Sequence, residues 1–384
     1  MNNKRILIFN TGSSSVKYKI YLIDGKNLIE EKSGEINEIT SPQGPKNHVI
    51  ALTLLFHGFG IRKGILENID NLAAIGHRVV HGGNKFSTIT KIDKNVINEI
   101  NNFSSLAPLH NPPIIEVIKK VFNESQSVSH RNIKSYAIFD TGFYKDLPKV
   151  SKIYPIPLEY YEKYGIQRYG FHGISHKNAY NETIKKFGKL QNVISIHLGS
   201  GCSITAIKNG VPIDTSMGFT PQEGLMMGTR AGDIDSGIIF YMLNKLKIKP
   251  DKLSKILNCN SGLVGLSESS PEMLDILFLA GYKVEDSNYA PNEKIQSLSK
   301  KHHENALIAL EIYVNKIKKY IGAYFAILGG VDALVFTGKI GYGSSIIRDL
   351  ITRDLETLLK NAKINVVRTD EELQIAKEII NYIE

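Results

Sequence analysis

Residues Arg5–Tyr21 read RILIFNTGSSSVKYKIY, and this stretch decides how the fold begins. The short apolar run Arg5–Phe9 predicts a buried strand, and the small residues TGSSS predict a tight turn. The alternating residues Val16–Tyr21 predict a second strand that returns antiparallel to the first. The segment is therefore expected to form a strand–turn–strand unit with a loop of small polar residues at one end.

A similar segment begins at Asn192. Here VISIHL predicts an apolar strand, GSGC a small-residue loop and SITAIK a returning strand. Asn209-Gly210 predicts a hairpin turn into a third strand, Val211–Met217. Two interpretations fit this pattern about equally, namely a weak internal repeat that heads two related domains, or two unrelated hairpins.

The rest of the chain indicates an α/β fold, because further strands alternate with amphipathic helices. The predicted helices are Ile114–Phe122, His176–Phe187 and His302–Leu328. The predicted strands that end in polar or small residues are Leu72–Val80, Ser135–Phe139 and Ala333–Phe336. Since ligands gather beyond strand ends in such sheets, these three endings are candidate edges of a site.

The end of the chain predicts one more strand, Ile364–Arg368, and then a helix. Thr369 and Glu372 have the spacing of a capping box at the start of that helix. Glu372 therefore has a sufficient structural explanation, whereas Glu371 does not.

The composition is that of an ordinary globular chain with a basic surplus. Its 384 residues suit two domains, and 42% hydrophobic with 22% charged residues exclude a disordered tail, a collagen or a disulfide scaffold. Lys and Arg number 47 against 38 Asp and Glu, which gives a net charge of +9. Nucleic acid, a membrane surface or anionic small molecules could balance that charge, but scattered lysines favour a solvated surface.

The sequence predicts a cytoplasmic protein. Two cysteines, Cys202 and Cys259, provide no disulfide framework and suit a reducing compartment. The first apolar run, Ile6–Phe9, is too short for a secretory signal. The longest apolar region, Ile321–Phe336, contains Gly329, Gly330 and Asp332 and is typical of a helix end followed by a new strand.

The early motifs offer groups that bind anions. The loop Asn10–Ser15 presents backbone N–H groups and hydroxyls as phosphate loops do, although on its own the TGSSS segment favours a plain hairpin turn. His77 and His81 have the spacing of a helical metal pair, but a strand would hold their rings too far apart to share an ion. Arg78 could bind a carboxylate or phosphate, or form a structural ion pair.

Three later motifs add further candidates. In LAPLHNPP, His110 could donate to a ligand or be only a turn residue, while Asn111 has the position of a helix cap. In YGFHGISH, glycines beside His172 indicate close approach to a ligand. In the Gly-rich stretch Thr220–Asp235, Arg230 stands among acids and favours function over a structural pair.

Taken together, the chain resembles the acetate kinase family of the actin, Hsp70 and sugar-kinase fold group. The matching motifs run in order through FNTGSSSVKY, GHRVVHGG, LAPLHNPP, FDTGFY, RYGFHGISH, HLGSG, DTSMGFTPQEGL, MGTRAGDID, SGLVGLS and DEELQIA. The resemblance implies two related domains with an active-site cleft between them, formed by residues 1–144 with 370–384 and by residues 145–369. It also implies a homodimer and cleft closure on substrate binding.

By that resemblance, five residues are catalytic, namely Arg78, His110, Asp140, His172 and Arg230. The two arginines would grip the carboxylate and the transferring phosphoryl group, His172 would donate to the developing charge, and Asp140 would orient an arginine or a metal-bound group. Asn10 and Glu371 would hold Mg²⁺. The small apolar pocket for the acid would consist of Val80, Leu109, Phe171 and Pro221, with Arg78 beside it.

The nucleotide end of the resemblance is less regular. Residues that would contact the nucleotide or its phosphates are Ser13, Ser15, Lys17, His197, Gly199, Ser200, Gly201, Glu272, Leu274, Gly338, Lys339, Ile340, Gly341 and Tyr342. Ser200, Leu274, Lys339 and Tyr342 depart from the usual family residues. The acyl substrate is therefore better supported than the phosphoryl donor.

The resemblance implies reversible phosphoryl transfer from ATP to acetate, by direct in-line attack of a carboxylate that is already ionised at pH 7. Propionate as the acid, or pyrophosphate or another nucleotide as the donor, remain alternatives. A non-enzymatic alternative is an actin- or Hsp70-like scaffold or a basic RNA-binding protein. The leading hypothesis expects a small carboxylate and a nucleotide as partners, and neither nucleic acid nor a membrane.

Overall fold

The first sheet grows from the strand–turn–strand segment at the start of the chain. The computed structural model describes residues 4–41, 44–57, 71–127, 133–284 and 289–383. The strands of the first sheet are β1 (Arg5–Thr11), β2 (Val16–Asp24), β3 (Asn27–Ile36), β4 (Leu72–Val79), β5 (Thr90–Lys91) and β6 (Lys134–Phe139). Their order is β3-β2-β1-β4-β6-β5, with β1, β4 and β6 parallel and β1, β2 and β3 antiparallel. A hydrogen bond of 2.8 Å from Gly12 N–H to Ser15 O closes the predicted turn.

Helices cover both faces of the first sheet. The helices of the chain are α1 (His48–His57), α2 (Lys94–Asn102), α3 (Asn111–Ser127), α4 (Lys149–Lys152), α5 (Glu159–Tyr164), α6 (Gly173–Phe187), α7 (Ser236–Asn244), α8 (Pro250–Cys259), α9 (Gly262–Ser267), α10 (Met273–Leu279), α11 (Glu293–Gln296), α12 (Lys300–Leu328), α13 (Gly338–Gly343), α14 (Ser345–Thr352) and α15 (Glu371–Ile383). Leu7 and Phe9 pack with α1 and α3 on one face, and Ile6 and Ile8 pack with α15 on the other. Because both faces are buried, β1 reads as a continuous apolar run.

The second sheet repeats the topology of the first. Its strands are β7 (Asn192–Leu198), β8 (Cys202–Lys208), β9 (Val211–Thr215), β10 (Ala333–Thr337) and β11 (Lys363–Val366), in the order β11-β10-β7-β8-β9. The series β9-β8-β7-β10-β11 matches β3-β2-β1-β4-β6, with antiparallel and parallel pairs at the same places. This shared topology favours the internal repeat over two unrelated hairpins.

The chain separates into two compact units, and each contains one of the sheets. Unit 1 consists of Met1–Lys145, Phe171–Asn178 and Asp370–Glu384, and unit 2 of Asp146–Gly170 and Ala179–Thr369. The domain limits expected from the sequence, 1–144 with 370–384 and 145–369, stay a prediction.

Most predicted elements are confirmed, with some shifted ends. The helices are longer than predicted, β4 ends at Val79 rather than Val80, and β11 ends at Val366 rather than Arg368. The long apolar region is a helix end and a strand, because α12 stops at Leu328 and Gly329 caps it with a left-handed backbone, φ 75°. Within the described ranges, no helix is both long and apolar enough to span a membrane.

Candidate active site

Arg78 lies at the centre of a buried cluster in unit 1. It stands beside the last residue of β4, and its Nε and Nη2 donate to the two carboxylate oxygens of Asp140 at 3.0 and 2.7 Å. Its Nη1 donates to Glu371 Oε2 at 2.7 Å and to Asn10 Oδ1 at 3.1 Å. Asp140 directly follows β6, the neighbour of β4, so two adjacent strand ends bring the pair together. These bonds leave one hydrogen on Nη2 to meet a ligand.

Asn10, near the end of β1, joins the two carboxylates that open α15. Its Nδ2 donates to Glu371 Oε2 at 2.9 Å and to Glu372 Oε1 at 2.7 Å. All three residues are buried. Since Asp140 belongs to the same cluster, three acids face the single charge of Arg78.

Burial controls the protonation of this cluster. Burial alone would lower the pKa of Arg78, but the charges of Asp140 and Glu371 outweigh it and raise that pKa above its ordinary value. Burial and the neighbouring charge of Glu371 raise the pKa of Glu372. The cluster therefore keeps a positive Arg78 within a surplus of acid, an arrangement that a further cation would stabilise.

The capping box predicted at the start of α15 was wrong. Leu373 N–H donates to Asp370 Oδ1 at 2.9 Å, so Asp370 is the helix cap. The hydroxyl of Thr369 accepts a bond of 2.8 Å from Gly338 N–H instead. Glu372 is thereby free of the capping role and belongs to the Arg78 cluster, a member that sequence reasoning missed.

His172 has a left-handed backbone beside Asp140. Its φ is +56°, and its backbone N–H hydrogen-bonds the Asp140 carboxylate. A side chain on Gly173 would overlap the Asp140 carbonyl, which explains the glycine at that position. Non-glycine residues hold such a backbone only where their surroundings fix it, and they cluster at functional sites.

The predicted acyl-pocket residues of unit 1 differ in burial. Val80 and Phe171 are buried, and the Phe171 carbonyl accepts a bond of 2.9 Å from the Tyr144 hydroxyl. Leu109 is 42% exposed. His110 is half-buried and opens α3, where its backbone carbonyl accepts from Ile114 N–H.

Asn111 connects two of the sequence motifs. Its side-chain oxygen accepts from His81 N–H at 3.2 Å, and its side-chain nitrogen donates to His81 O at 3.0 Å. The interpretation of Asn111 as a helix cap was therefore wrong, because both ends of its amide bind a distant peptide. His81 lies beyond β4, and its ring packs edge-on against Phe171 with centroids 5.3 Å apart.

The turn after β1 holds the residues predicted to face phosphates in unit 1. Ser13 is exposed and Ser15 is half-buried. Lys17 lies on β2 and pairs with Glu35 Oε1 at 3.0 Å, with both side chains about 40% exposed. Such an exposed pair contributes little stability and leaves the ammonium able to exchange partners.

Arg230 is a half-buried cation of unit 2. Its Nη1 donates to Pro221 O at 2.6 Å, and no acid among the described residues forms an ion pair with it. Burial lowers its pKa. A half-buried guanidinium with unused N–H groups is suited to a carboxylate or phosphate ligand.

Small-residue loops of unit 2 meet at the end of β7. Gly228 N–H donates to Ser200 O at 3.4 Å, and a side chain on Gly228 would approach Pro271 O to 3.0 Å. A side chain on Gly199 would lie 4.0 Å from the backbone nitrogen of Lys339. Close-packed loops rich in backbone N–H groups are suited to phosphate oxygens.

The remaining nucleotide-end residues lie around these loops. His197 is on β7, Gly201 ends the loop after it, Glu272 and Leu274 stand at the start of α10, and α13 carries Gly338, Lys339, Ile340, Gly341 and Tyr342. Gly338 has a left-handed backbone, φ 81°, and a side chain there would overlap Leu198. Lys339 and Tyr342 are exposed.

Hydrogen bonds thus join some of the predicted residues, and the others lie elsewhere in the two units. Asn10, Arg78, Asp140, His172 and Glu371 are joined by hydrogen bonds in unit 1. Arg230 with Pro221, and the loops near Gly199, belong to unit 2. Unit 1 therefore carries the acid-rich cluster, and unit 2 carries Arg230, which forms no ion pair with an acid in the described part of the chain.

Comparison with known proteins places this geometry in context. The sequence model described as the Acetokinase family matches residues 5–373. An acetate kinase from Thermosipho africanus (strain TCF52B) is 38% identical over 422 aligned positions, which cover 99% of this chain and 98% of the relative. The crystal structure of Porphyromonas gingivalis acetate kinase has a TM-score of 0.81 at 30% identity, covering 99% of this chain and 100% of that one. A propionate kinase from Francisella tularensis subsp. tularensis SCHU S4 has a TM-score of 0.78 at 32% identity, with 98% coverage of both chains.

Proposed function

The chain belongs to the acetokinase family, and from that premise we propose how its own residues carry out phosphoryl transfer. It is an acetate kinase by family, with the mixed α/β fold of the actin, Hsp70 and sugar-kinase group. The reaction transfers the γ-phosphoryl group of ATP to a carboxylate oxygen of acetate and gives acetyl phosphate and ADP. It is reversible, because the acyl phosphate can return the group to ADP.

Acetate needs no general base in this reaction. Carboxylic acids titrate near pH 4, so the nucleophile is already ionised at neutral pH. The protein has to hold two anions together and neutralise the charge that develops on the transferring group. Cations without acid partners are the groups that this task requires.

Arg230 is the observation that carries the assignment. Its side chain is half-buried, its guanidinium bonds the Pro221 carbonyl, and no described acid neutralises it. A partly buried charge without an acid partner is costly to the fold, and an anionic ligand removes that cost. Arg230 therefore binds the carboxylate or the transferring phosphoryl group.

Arg78 has a more constrained role. Asp140 fixes the plane of its guanidinium with two bonds, and one Nη2 hydrogen stays available for a substrate oxygen. His172, tied to the same Asp140 through its backbone, donates to the developing negative charge from its ring. His110 lines the phosphoryl site.

The acid-rich cluster fits a divalent cation. Asn10, Glu371 and Glu372 supply hard oxygen donors, and Arg78 leaves their negative charge incompletely neutralised. Within the described ranges, no group of three or more His, Cys, Asp or Glu is arranged to hold a metal ion, so water and substrate phosphates would have to supply further ligands to Mg²⁺. Asn10 and Glu371 would hold Mg²⁺, which would neutralise charge on the donor phosphates.

The substrate pocket and the donor loops complete the assignment. In unit 1, Val80, Phe171 and the more exposed Leu109 bind the methyl group of acetate. A small apolar pocket separates acids that differ by one methylene by only about 1–3 kcal/mol. In unit 2, the loop His197–Gly201 binds the ATP phosphates, and α10 and α13 bind the nucleoside.

The protein acts as a homodimer in the cytoplasm. The apolar helix α7 buries none of its residues, and Ile238, Phe240 and Tyr241 are 47%, 62% and 57% exposed. An apolar face of this kind is typical of an association surface, and a second copy of the chain covers it. The two free thiols, Cys202 and Cys259, suit a reducing compartment.

The test is acetyl hydroxamate formation by the purified chain with acetate, a phosphoryl donor, Mg²⁺ and hydroxylamine. ATP, GTP and pyrophosphate are compared as donors, and acetate and propionate as acids. We expect ATP with acetate to give the highest kcat/KM. Product with pyrophosphate alone would overturn the assignment of ATP, and no product with any pair would overturn acyl-phosphate chemistry.

A further inference from the structure

The loop Gly218–Gly224, which carries Pro221, closes around the carboxylate of Glu223. A side chain on Gly218 would overlap both that carboxylate and the Tyr154 hydroxyl. Tyr154 donates its hydroxyl hydrogen to Glu223 Oε2 and accepts a bond of 2.8 Å from Phe219 N–H. The acid is thus half-buried against its own loop, with 29% of its side chain exposed.

Arg168 connects this acid to the strand that leads into the loop. Its Nη2 donates to Glu223 Oε1 at 2.6 Å, and its Nη1 donates to the Thr215 carbonyl at 3.0 Å. The same Nη1 also lies within 3.3 Å of the next two carbonyls, Ser216 O and Met217 O. The guanidinium of Arg168 therefore connects the start of the loop to Glu223 near its end.

The other side of the loop is tied to the segment that carries Arg230. Pro221 O accepts the Arg230 Nη1 bond, and Gly224 N–H donates to Asp233 Oδ1 at 2.7 Å. Asp233 is held in turn by the Tyr320 hydroxyl at 2.7 Å. Among the described residues, Arg230 is the one polar partner of Pro221. The position of this contact depends on the shape of the loop.

We propose that Glu223, held by Arg168 and Tyr154, is a positioning residue that sets Pro221 and, through its carbonyl, Arg230. Glu223 touches neither the substrate nor the transferring group in this account, which rests on the proposed role of Arg230 in anion binding. It acts on the acid end of the reaction, because Pro221 bonds Arg230, the proposed anion-binding residue. Among the described residues, the side chain of Glu223 bonds Arg168 and Tyr154 and no residue of the loop Gly199–Gly201.

A merely structural ion pair would behave differently. Breaking it would lower stability and would reduce the rate with every acid and every donor alike. A positioning role changes KM and kcat for the acid while KM for ATP stays the same. It also changes the ratio of kcat/KM between acetate and propionate, because displacement of Arg230 shifts the carboxylate that it holds.

The test compares Tyr154→Phe and Glu223→Gln with Asp354→Asn, which removes an exposed ion pair to Lys318 in the same unit. Because a displacement of about 1 Å can cost on the order of a hundredfold in rate, we expect kcat/KM for acetate to fall at least about tenfold in both loop variants. In the loop variants, KM for ATP should stay within about twofold of wild type. In the control variant, kcat/KM for acetate should also stay within about twofold of wild type. The acetate-to-propionate ratio should shift in the loop variants only.

A second readout does not depend on turnover. Backbone amide exchange of residues 225–233 is measured in the free wild type, Tyr154→Phe and Asp354→Asn proteins. Faster exchange in Tyr154→Phe alone supports the proposal, and equal exchange in all three overturns it. Loop variants that keep the wild-type kcat/KM for acetate and the wild-type acetate-to-propionate ratio also overturn it. If the wild-type protein is inactive but Tyr154→Phe still exchanges faster, the result contradicts the role of Arg230 and supports the contacts that position Glu223.

Discussion

Arg78 and Asp140 form a two-bond ion pair, with Nε–Oδ1 at 3.0 Å and Nη2–Oδ2 at 2.7 Å, across 62 residues of sequence. Two parallel bonds fix both the position and the plane of a guanidinium, which a single contact does not. Because Glu371 and Asn10 hold the remaining Nη1 group, Arg78 has one defined orientation before any substrate arrives.

Asp140→Asn should therefore reduce both activity and stability. The amide keeps the size of the side chain but loses the charge that faces Arg78. Loss of a partner from a buried ion pair costs about 3–5 kcal/mol of unfolding free energy. Urea denaturation measures that loss, and kcat should fall on the order of a hundredfold because Arg78 is no longer held in plane. The control is Glu99→Gln, which removes an exposed pair with Lys85; an Asp140→Asn protein as stable and active as this control would contradict the assignment.

Arg230→Met should separate activity from stability. Methionine keeps an apolar stem but removes a half-buried charge that no described acid neutralises. The unfolding free energy should change by no more than about 1 kcal/mol, the value of the lost bond to Pro221. Loss of a preorganised charge at the reacting group should lower kcat/KM by about a hundredfold or more. A large loss of stability, or near-normal turnover, would remove Arg230 from the anion site.

His77 should make the fold sensitive to acid. Its buried ring stacks on Phe9 with centroids 5.4 Å apart, and burial lowers its pKa from 6.5 to about 3. The folded chain thus keeps the neutral ring, so this contribution to stability is complete above pH 6.5 and decreases as pH falls toward 3. The loss reaches about 1.4 kcal/mol per pH unit within that window.

The variant His77→Phe tests this pH dependence, because phenylalanine keeps the ring and has no proton to gain. Urea denaturation of both proteins across that window should give a shallower pH dependence for the variant. Parallel curves would show that the buried ring of His77 does not cause the sensitivity.

Glu372→Gln should weaken Mg²⁺ binding, although Glu372 was not among the expected ligands. It fixes the amide of Asn10 with a bond of 2.7 Å, and loss of a residue that orients a ligand typically costs about 10–100-fold in metal affinity. Thermal stabilisation by added Mg²⁺ gives the affinity without turnover. Glu378→Gln, on the same helix and paired with Lys177, is the matched control. Equal Mg²⁺ responses in the two variants would contradict a role for Glu372 at the cation site.

The sequence predicts local structure wherever neighbouring residues decide it. The turn between β1 and β2 follows from its small residues, and Gly329 ends α12 because glycine accepts a left-handed backbone. In the sequence, the repeat of the first sheet in the second is visible only as two similar hairpin segments. The repeat becomes clear from the structure, where β4 pairs parallel with β1 and β10 pairs parallel with β7, although both partners lie far along the chain.

The errors concern side chains whose partners are remote in sequence. Glu372 matched a capping box, but Asp370 also precedes the helix and takes the cap, while Asn10 binds Glu372 from 362 residues away. Asn111 matched a helix cap, but its amide binds the peptide of His81. Local patterns state which bonds a residue could make, and tertiary packing selects among them. Glu223 gave no signal beyond its place in a Gly-rich motif.

The central claim, that this chain transfers a phosphoryl group from ATP to acetate, is tested most directly by ³¹P NMR of the purified wild-type protein during turnover. With ATP, acetate and Mg²⁺, the γ-phosphate resonance of ATP should decrease while an acetyl phosphate resonance and the signals of ADP increase in equal amounts. ATP that stays intact, or inorganic phosphate as the sole new product, would contradict the claim.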